Sequence, residues 1–362
     1  MKKNLLLMLA LLCVVAQGPL FTSCSKDDNQ TEKPLPKTYF ASWNRCDALD
    51  TLKAYVEDVT NPKSAHFISK EDRIATFDMD GTFVGELYPT YFEYNLLEYR
   101  ALDDPDYKDK APEDVREAAL NIRHFVREGV ALPDHFDMIH ARAAAKAYAG
   151  MTIAEFDAYV KKYAATPANG FTGMTYAQSF YKPMLEVFDY LKDHDFTYYV
   201  VSGSDRFICR SLVESLGIEP NRVIGMDVCL ATNAQGGNIG VDYTMKKDEY
   251  LVRTDSLIIK NLKTNKVRQI SQEIGKIPVL SFGNSSGDEA MHNYCLSNPK
   301  YRTATFMLVA DDAERDHANL AEAAKREEKW RKNGYTVISM KNDFKTIYGP
   351  GVKKVDFTFP QN

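Results

Sequence analysis

Residues Ile74–Glu86 read IATFDMDGTFVGE. A β-rich apolar run ends in Asp78 and Asp80, one residue apart, with Gly81 and Thr82 directly after them. Asp is seldom buried without a partner, so a cation or a proton has to sit between these two carboxylates. Residues i and i+2 of a strand share a face, which lets both side chains reach one pocket. Gly81 permits a tight turn, and the Thr82 hydroxyl can steady it. One carboxylate can attack phosphorus; a second carboxyl can protonate the leaving oxygen and later deprotonate water. Two acids facing a phosphate dianion need counter-charge, and Mg²⁺, a hard cation that takes oxygen ligands and waters, is the expected cofactor.

Outward from this turn, strand-like and helix-like stretches alternate. PMLEVFDYLKDHD has helical spacing at Met184, Leu185, Phe188 and Leu191, and FTYYVVSGS is a β-rich run ending in Ser202 and Gly203. DRFICRSLVESLGI is helical, with Gly217 as its stop. NRVIGMD, IPVLSF, ATFMLVADD and YTVISM are further strands, the last two separated by a charged helix. This alternation predicts an α/β fold, a Rossmann-like parallel sheet with helices on both faces, whose ligands bind beyond the carboxyl ends of the strands. Two stretches break the pattern. Residues 87–182 read as an inserted helical cap, marked by a capping box at Thr152 and Glu155. Residues 227–265 read as a small β-hairpin insert or flap. The core is then split into 41–86 and 183–362.

The turn DMDGT resembles the first motif of the haloacid dehalogenase superfamily, the aspartate-dependent phosphotransferases, and its companions occur in family order. VVSGS is similar to the second motif, Lys266 stands where the third-motif lysine does, and GNSSGDEAM resembles the fourth, acidic motif. The position of the helical insert resembles that of the phosphoserine and phosphorylcholine phosphatases. The resemblance spans about residues 42–343. It implies hydrolysis of a small phosphomonoester, with Asp78 as nucleophile, Asp80 as acid and base, and Ser202 and Lys266 holding the phosphoryl group. Thr82, Glu86 and Gly203 would complete the substrate pocket, and Asp78, Asp80, Asn284 and Asp288 the Mg²⁺ site. One departure stands out: the fourth motif usually begins Gly-Asp, and here Asn284 follows Gly283. A neutral ligand there is compatible with an active enzyme or with a lapsed one that binds a phosphorylated ligand.

Substrate choice is expected in the cap. GELYPTYFEYNLLEYR brings Glu86, Tyr88, Tyr91, Tyr94 and Tyr99 toward the turn. The tyrosines read as ordinary packing, or as an aromatic cage for a cationic head group such as choline. A carboxylate-bearing substrate would instead call on Arg123 or Arg142. His124, His135 and His140 show no metal-ligand spacing and read as cap surface or packing.

The first residues carry a charged start, Lys2 and Lys3, and then a short apolar run, the shape of a secretory signal. LFTSCSKDD resembles a bacterial lipobox, which places the signal at 1–23, an acylated Cys24, and a polar linker over 24–40. The expectation is a lipoprotein of the cell envelope, periplasmic or at the outer-membrane surface, attached to the membrane by this anchor. Cys46, Cys209, Cys229 and Cys295 form no CxxC pair, so a zinc cluster is not expected. An export compartment permits disulfides among them, while Cys209, in a helical stretch, reads as a buried thiol. With Lys plus Arg at 45 against Asp plus Glu at 50, the net charge of −5 gives no support to a nucleic-acid partner.

Overall fold

The structure is a computed structural model that describes residues 38–359. Cys24 and the signal-like segment lie outside the described residues. After helix α1 (Asp47–Thr60), strand β1 (Ile74–Phe77) leads into the DMDGT turn. A helical stretch follows: α2 (Phe92–Glu98), α3 (Glu113–Glu128), α4 (Phe136–Ala147) and α5 (Ile153–Ala164). The Thr152 hydroxyl caps α5 by accepting from the Glu155 N–H, and the Glu155 carboxylate accepts from the Thr152 N–H. A two-residue strand, β2 (Phe171–Thr172), closes the stretch. Then come α6 (Lys182–Asp193), β3 (Thr197–Asp205), α7 (Arg206–Val213), β4 (Val223–Thr232), β5 (Leu251–Ile259), α8 (Thr264–Glu273), β6 (Leu280–Gly283), α9 (Glu289–Leu296), β7 (Ala304–Val309), α10 (Leu320–Lys332) and β8 (Thr336–Ser339). After α11 (Met340–Asp343), β9 (Lys353–Lys354) pairs antiparallel with β2.

The main sheet has seven strands in the order β5-β4-β3-β1-β6-β7-β8. Every pairing in it is parallel except β4 with β5. It is a Rossmann-like α/β sheet. Both faces are buried, as a central parallel sheet requires, and the period-2 alternation of β7 shows which helices cover which face. Phe306 and Leu308 join the main core with residues of α1, α6 and α7. Met307 and Val309 pack instead against Ala323 and Trp330 of α10. Val201 likewise packs with Ile270 of α8 and Met291 of α9. All four residues of β1 are buried. Phe77 stacks on its register partner Phe282, with ring centroids 4.3 Å apart.

The hairpin insert is the antiparallel β4–β5 pair at one edge, so β4 starts at Val223 and runs well past the short strand expected at Asn221–Asp227. The free cysteines are Cys46, Cys209, Cys229 and Cys295. Cys209 is buried within α7.

Candidate active site

The strand order puts the carboxyl ends of β3, β1 and β6 side by side, and each delivers part of one site. β1 delivers Asp78 and Asp80, β3 delivers Gly203 and Ser204, and β6 delivers Asn284. With Glu86, Lys266 and Asp288 they line a cavity of about 150 Å³. Glu93 and Tyr94 from α2, Asp137 from α4, and Lys260 beyond β5 supply further walls. The turn depends on its glycine. Gly81 has φ +76°, and a Cβ there would stand 1.9 Å from Asn284 Nδ2 and 2.6 Å from Glu86 Oε2, so the side chains of Asn284 and Glu86 close on the turn where glycine's missing Cβ leaves room.

Lys266 is the hub of the site. Its Nζ lies 2.5 Å from Asp78 Oδ1 and 2.6 Å from Asp288 Oδ1, and the lysine is 1% exposed. Asp288 has no oxygen to spare. Its Oδ2 accepts from the N–H groups of Asn284 and Ser285 and from the Ser285 hydroxyl. Burial pushes the Asp288 carboxyl up, but Lys266 and these donors outweigh it and hold the group below its ordinary value. Asp78 moves the other way. Burial, and then the charge of Asp288, raise its carboxyl despite Lys266. Of the two partners of Lys266, Asp288 is therefore the firmly ionised one, since it accepts more hydrogen bonds in its charged form.

Asp80 is oriented by a residue that the sequence reading passed over. Ser204 Oγ donates to Asp80 Oδ2 at 2.7 Å, whereas Ser202 Oγ stands 3.4 Å away. Ser202 is fully buried and accepts from the Ser204 N–H; it is not among the residues lining the cavity, while Gly203 and Ser204 are. Burial raises the Asp80 carboxyl to about 6 and that of Glu86 to about 8. Thr82 Oγ1 lies 3.4 Å from Asp78 Oδ2, behind the carboxylate.

The tyrosines divide. Tyr91 and Tyr94 line the cavity, with ring centroids 5.3 Å apart. Tyr88 packs into the core against Phe171, Tyr176 and Tyr348. Tyr99 stacks near Tyr163, away from the turn. The expectation that all four approach the site is corrected: the helical stretch curls Tyr88 and Tyr99 into its own packing. Neither expected arginine reaches the cavity. Arg123 is held by Glu98 and Asp103, and Arg142 is exposed. His140 is fully buried, with Nδ1 3.7 Å from Glu93 Oε1.

The donor set suits a hard cation. Asn284 Oδ1 is buried with no hydrogen-bond partner among the described residues, and an unmatched buried oxygen calls for an explanation such as an ion. Asp80 Oδ1 is unmatched too, as suits a carboxyl, raised to about 6, that exchanges a proton there. Among the described residues no three His, Cys, Asp or Glu side chains gather as a ready metal cluster. The fitting oxygens are a mixed set of Asp78, Asp80 and the amide of Asn284, rather than a cage of carboxylates.

No family model matches the sequence, and no curated protein matches it significantly. Solved structures of similar fold include a protein of unknown function from Anaerococcus prevotii, 14% identical, with 84% of this chain and 94% of that chain covered at a TM-score of 0.50. A phosphoserine phosphohydrolase-like protein from Francisella tularensis is 13% identical, with 74% and 94% covered and a TM-score of 0.40. A HAD family hydrolase from Salmonella enterica serovar Typhi is 12% identical, with 75% and 68% covered and a TM-score of 0.39. At these identities the likeness is one of fold.

Proposed function

We propose that the protein hydrolyses a small phosphomonoester through an aspartyl-phosphate on Asp78. The observation that carries this reading is the arrangement at the carboxyl end of β1. Asp78 is gripped by Lys266, while Asp80 is turned to a separate partner, Ser204, with its second oxygen unpaired. Two neighbouring carboxyls in different environments take different roles. An Asp78 oxygen attacks phosphorus, and the bond from phosphorus to the leaving oxygen breaks. That oxygen takes the proton of Asp80, whose carboxyl, raised to about 6, can both give and accept near neutrality. Water then attacks phosphorus and cedes its proton to Asp80, and the bond between phosphorus and Asp78 breaks, releasing phosphate. Lys266 holds Asp78 in place and neutralises charge beside the reacting centre.

Asp78, Asp80 through its backbone carbonyl, and Asn284 would hold Mg²⁺. The ion would supply the positive charge that keeps Asp78 ionised and offsets the phosphate dianion. Asp288 would serve by fixing Lys266 and the Asn284 turn. The cavity volume supports a small ester. Its Tyr91, Tyr94 and Asp137 wall, without an arginine, favours a leaving group with a cationic head over one with a carboxylate.

The deciding experiment is turnover of an aryl phosphate by the mature protein with Mg²⁺, beside Asp78→Asn. The substitution keeps the shape and removes the attacking charge, so activity is expected to fall by about three orders of magnitude or more with the fold intact. Acid quench should trap phosphate on the native chain alone. Native protein that binds phosphate but turns nothing over is a lapsed member of the fold, and near-normal turnover by Asp78→Asn sinks the mechanism.

A further inference from the structure

We propose that Lys260 is a second cation of the phosphoryl site, its ammonium holding an oxygen of the transferred phosphoryl group; this rests on the hydrolase reading above. Lys260 follows β5 and so belongs to the exit of the hairpin insert. Its carbonyl accepts from the Leu262 N–H at 3.0 Å and from Asn265 Nδ2 at 2.9 Å, which pins the backbone. Its Nζ lies 2.7 Å from Glu93 Oε1, both side chains are 5% exposed, and both residues line the cavity beside Asp78 and Asp80.

Three observations point from this pair to a ligand. First, the side-chain donors on the phosphoryl side of the cavity are largely committed. Lys266 directs two of its three donors at Asp78 and Asp288. The Ser204 hydroxyl donates to Asp80, and the Ser204 N–H donates to Ser202. A phosphoryl group entering here would find few of these side-chain donors left. Second, an ammonium has three donors, and among the described residues Glu93 is the one acceptor within hydrogen-bond reach of Lys260. Two donors are left without a protein partner at a cavity wall. Third, burying a charged pair is costly, and an apolar pair of similar volume often serves stability as well or better. A buried lysine at this wall is thus better explained by an anion than by packing.

Glu93 is itself held. Its Oε2 accepts from the Asp205 N–H at 3.1 Å, at the end of β3, and its Oε1 faces His140. Glu93 belongs to α2 in the helical stretch, so the pair joins both inserts above the strand ends. The charge of Lys260 also reaches the reacting group: burial raises the Asp80 carboxyl, and Lys260 is among the charges that oppose the rise.

The test is binding of inorganic phosphate by calorimetry at saturating Mg²⁺, with aryl phosphate kinetics alongside. Lys260→Met removes the donors. Since it leaves Glu93 buried and unpaired, Lys260→Met/Glu93→Gln is made beside it, neutral at both positions and keeping the acceptor for Asp205. Loss of a hydrogen bond to a charged group is expected to weaken phosphate binding by about tenfold to a hundredfold in the double variant. KM should rise in parallel, and Lys260→Arg should retain part of the affinity. A folded double variant that binds phosphate within about twofold of the native protein, too little for a lost charged hydrogen bond, overturns the role of Lys260. Native protein that neither binds nor hydrolyses phosphate esters overturns the hydrolase reading itself.

Discussion

At the scale of single residues, Asn284 and Asp288 have exchanged the duties that their order in the turn suggests. Asp288 carries the charge, but both of its oxygens are committed to Lys266 and to the turn. Asn284 is neutral, yet its Oδ1 is buried without a partner. Asn284→Asp should therefore tighten apparent Mg²⁺ binding, because added carboxylate charge favours a hard cation. Turnover need not rise, since the same charge repels the substrate dianion. Asp288→Asn should act mainly on the fold. It leaves Lys266 short of a buried partner, which costs about 3 kcal/mol or more, and loosens the grip on Asp78. Activity against Mg²⁺ concentration and thermal unfolding of the three proteins separate these effects. If Asn284→Asp leaves the Mg²⁺ dependence of an active enzyme unchanged, Asn284 does not hold the metal. The sequence led to Asp78 and Asp80 because a strand end is visible in its apolar pattern, and to Lys266 through the resemblance of the surrounding motifs. It did not separate Ser202 from Ser204: two residues apart on one strand, they share a face, and only the side-chain geometry shows which one meets Asp80.

At the scale of elements, the C-terminal segment fastens the helical stretch from below. β9 pairs with β2, and Tyr348 packs near Tyr88, Phe171 and Tyr181. The Tyr348 hydroxyl donates to Asp316 at 3.0 Å, and Asp316 is 5% exposed. Burial raises its carboxyl from 3.8 to about 7. The folded state thus binds a proton that the unfolded state has released, and stability falls as pH rises between those two values. Asp316→Asn removes that titration. The variant should match or trail the native protein near pH 4 and gain on it up to neutrality, by about 1–3 kcal/mol at pH 8. Unfolding temperatures of both proteins across that range decide it, and a difference that does not change with pH would refute a buried, titrating Asp316. This fastening was invisible beforehand: β2 and β9 are two residues long and nearly the length of the chain's second half apart, too short for an alternation to register. The parallel core was legible, since its strands are apolar runs closed by turn residues. The length of β4 was not, because its second half leaves the core for the edge and its pattern changes there.

At the scale of the whole molecule, the residues of the candidate site all fall between Asp78 and Asp288, whereas the lipobox-like Cys24 stands well before them. Chemistry and attachment should accordingly separate. We propose that the chain is exported and acylated at Cys24, with 24–40 as a polar tether. The support is the charged start, the short apolar run and the small residues before the cysteine. The net charge of −5 offers no general attraction to an anionic membrane surface, so attachment would rest on the acyl chains. One chain binds only marginally, and stable anchoring takes more than one signal, which a multiply acylated cysteine provides. Cys24→Ser should therefore move the protein from the membrane fraction to the soluble one, and the released protein should keep the native kcat and KM for a soluble aryl phosphate. Metabolic labelling with a fatty acid should mark the native chain and not the variant. Persistence of the variant in the membrane fraction would show that something other than Cys24 holds the protein there. Release accompanied by loss of turnover would show instead that attachment shapes the site, and the separation of tether from chemistry would be wrong.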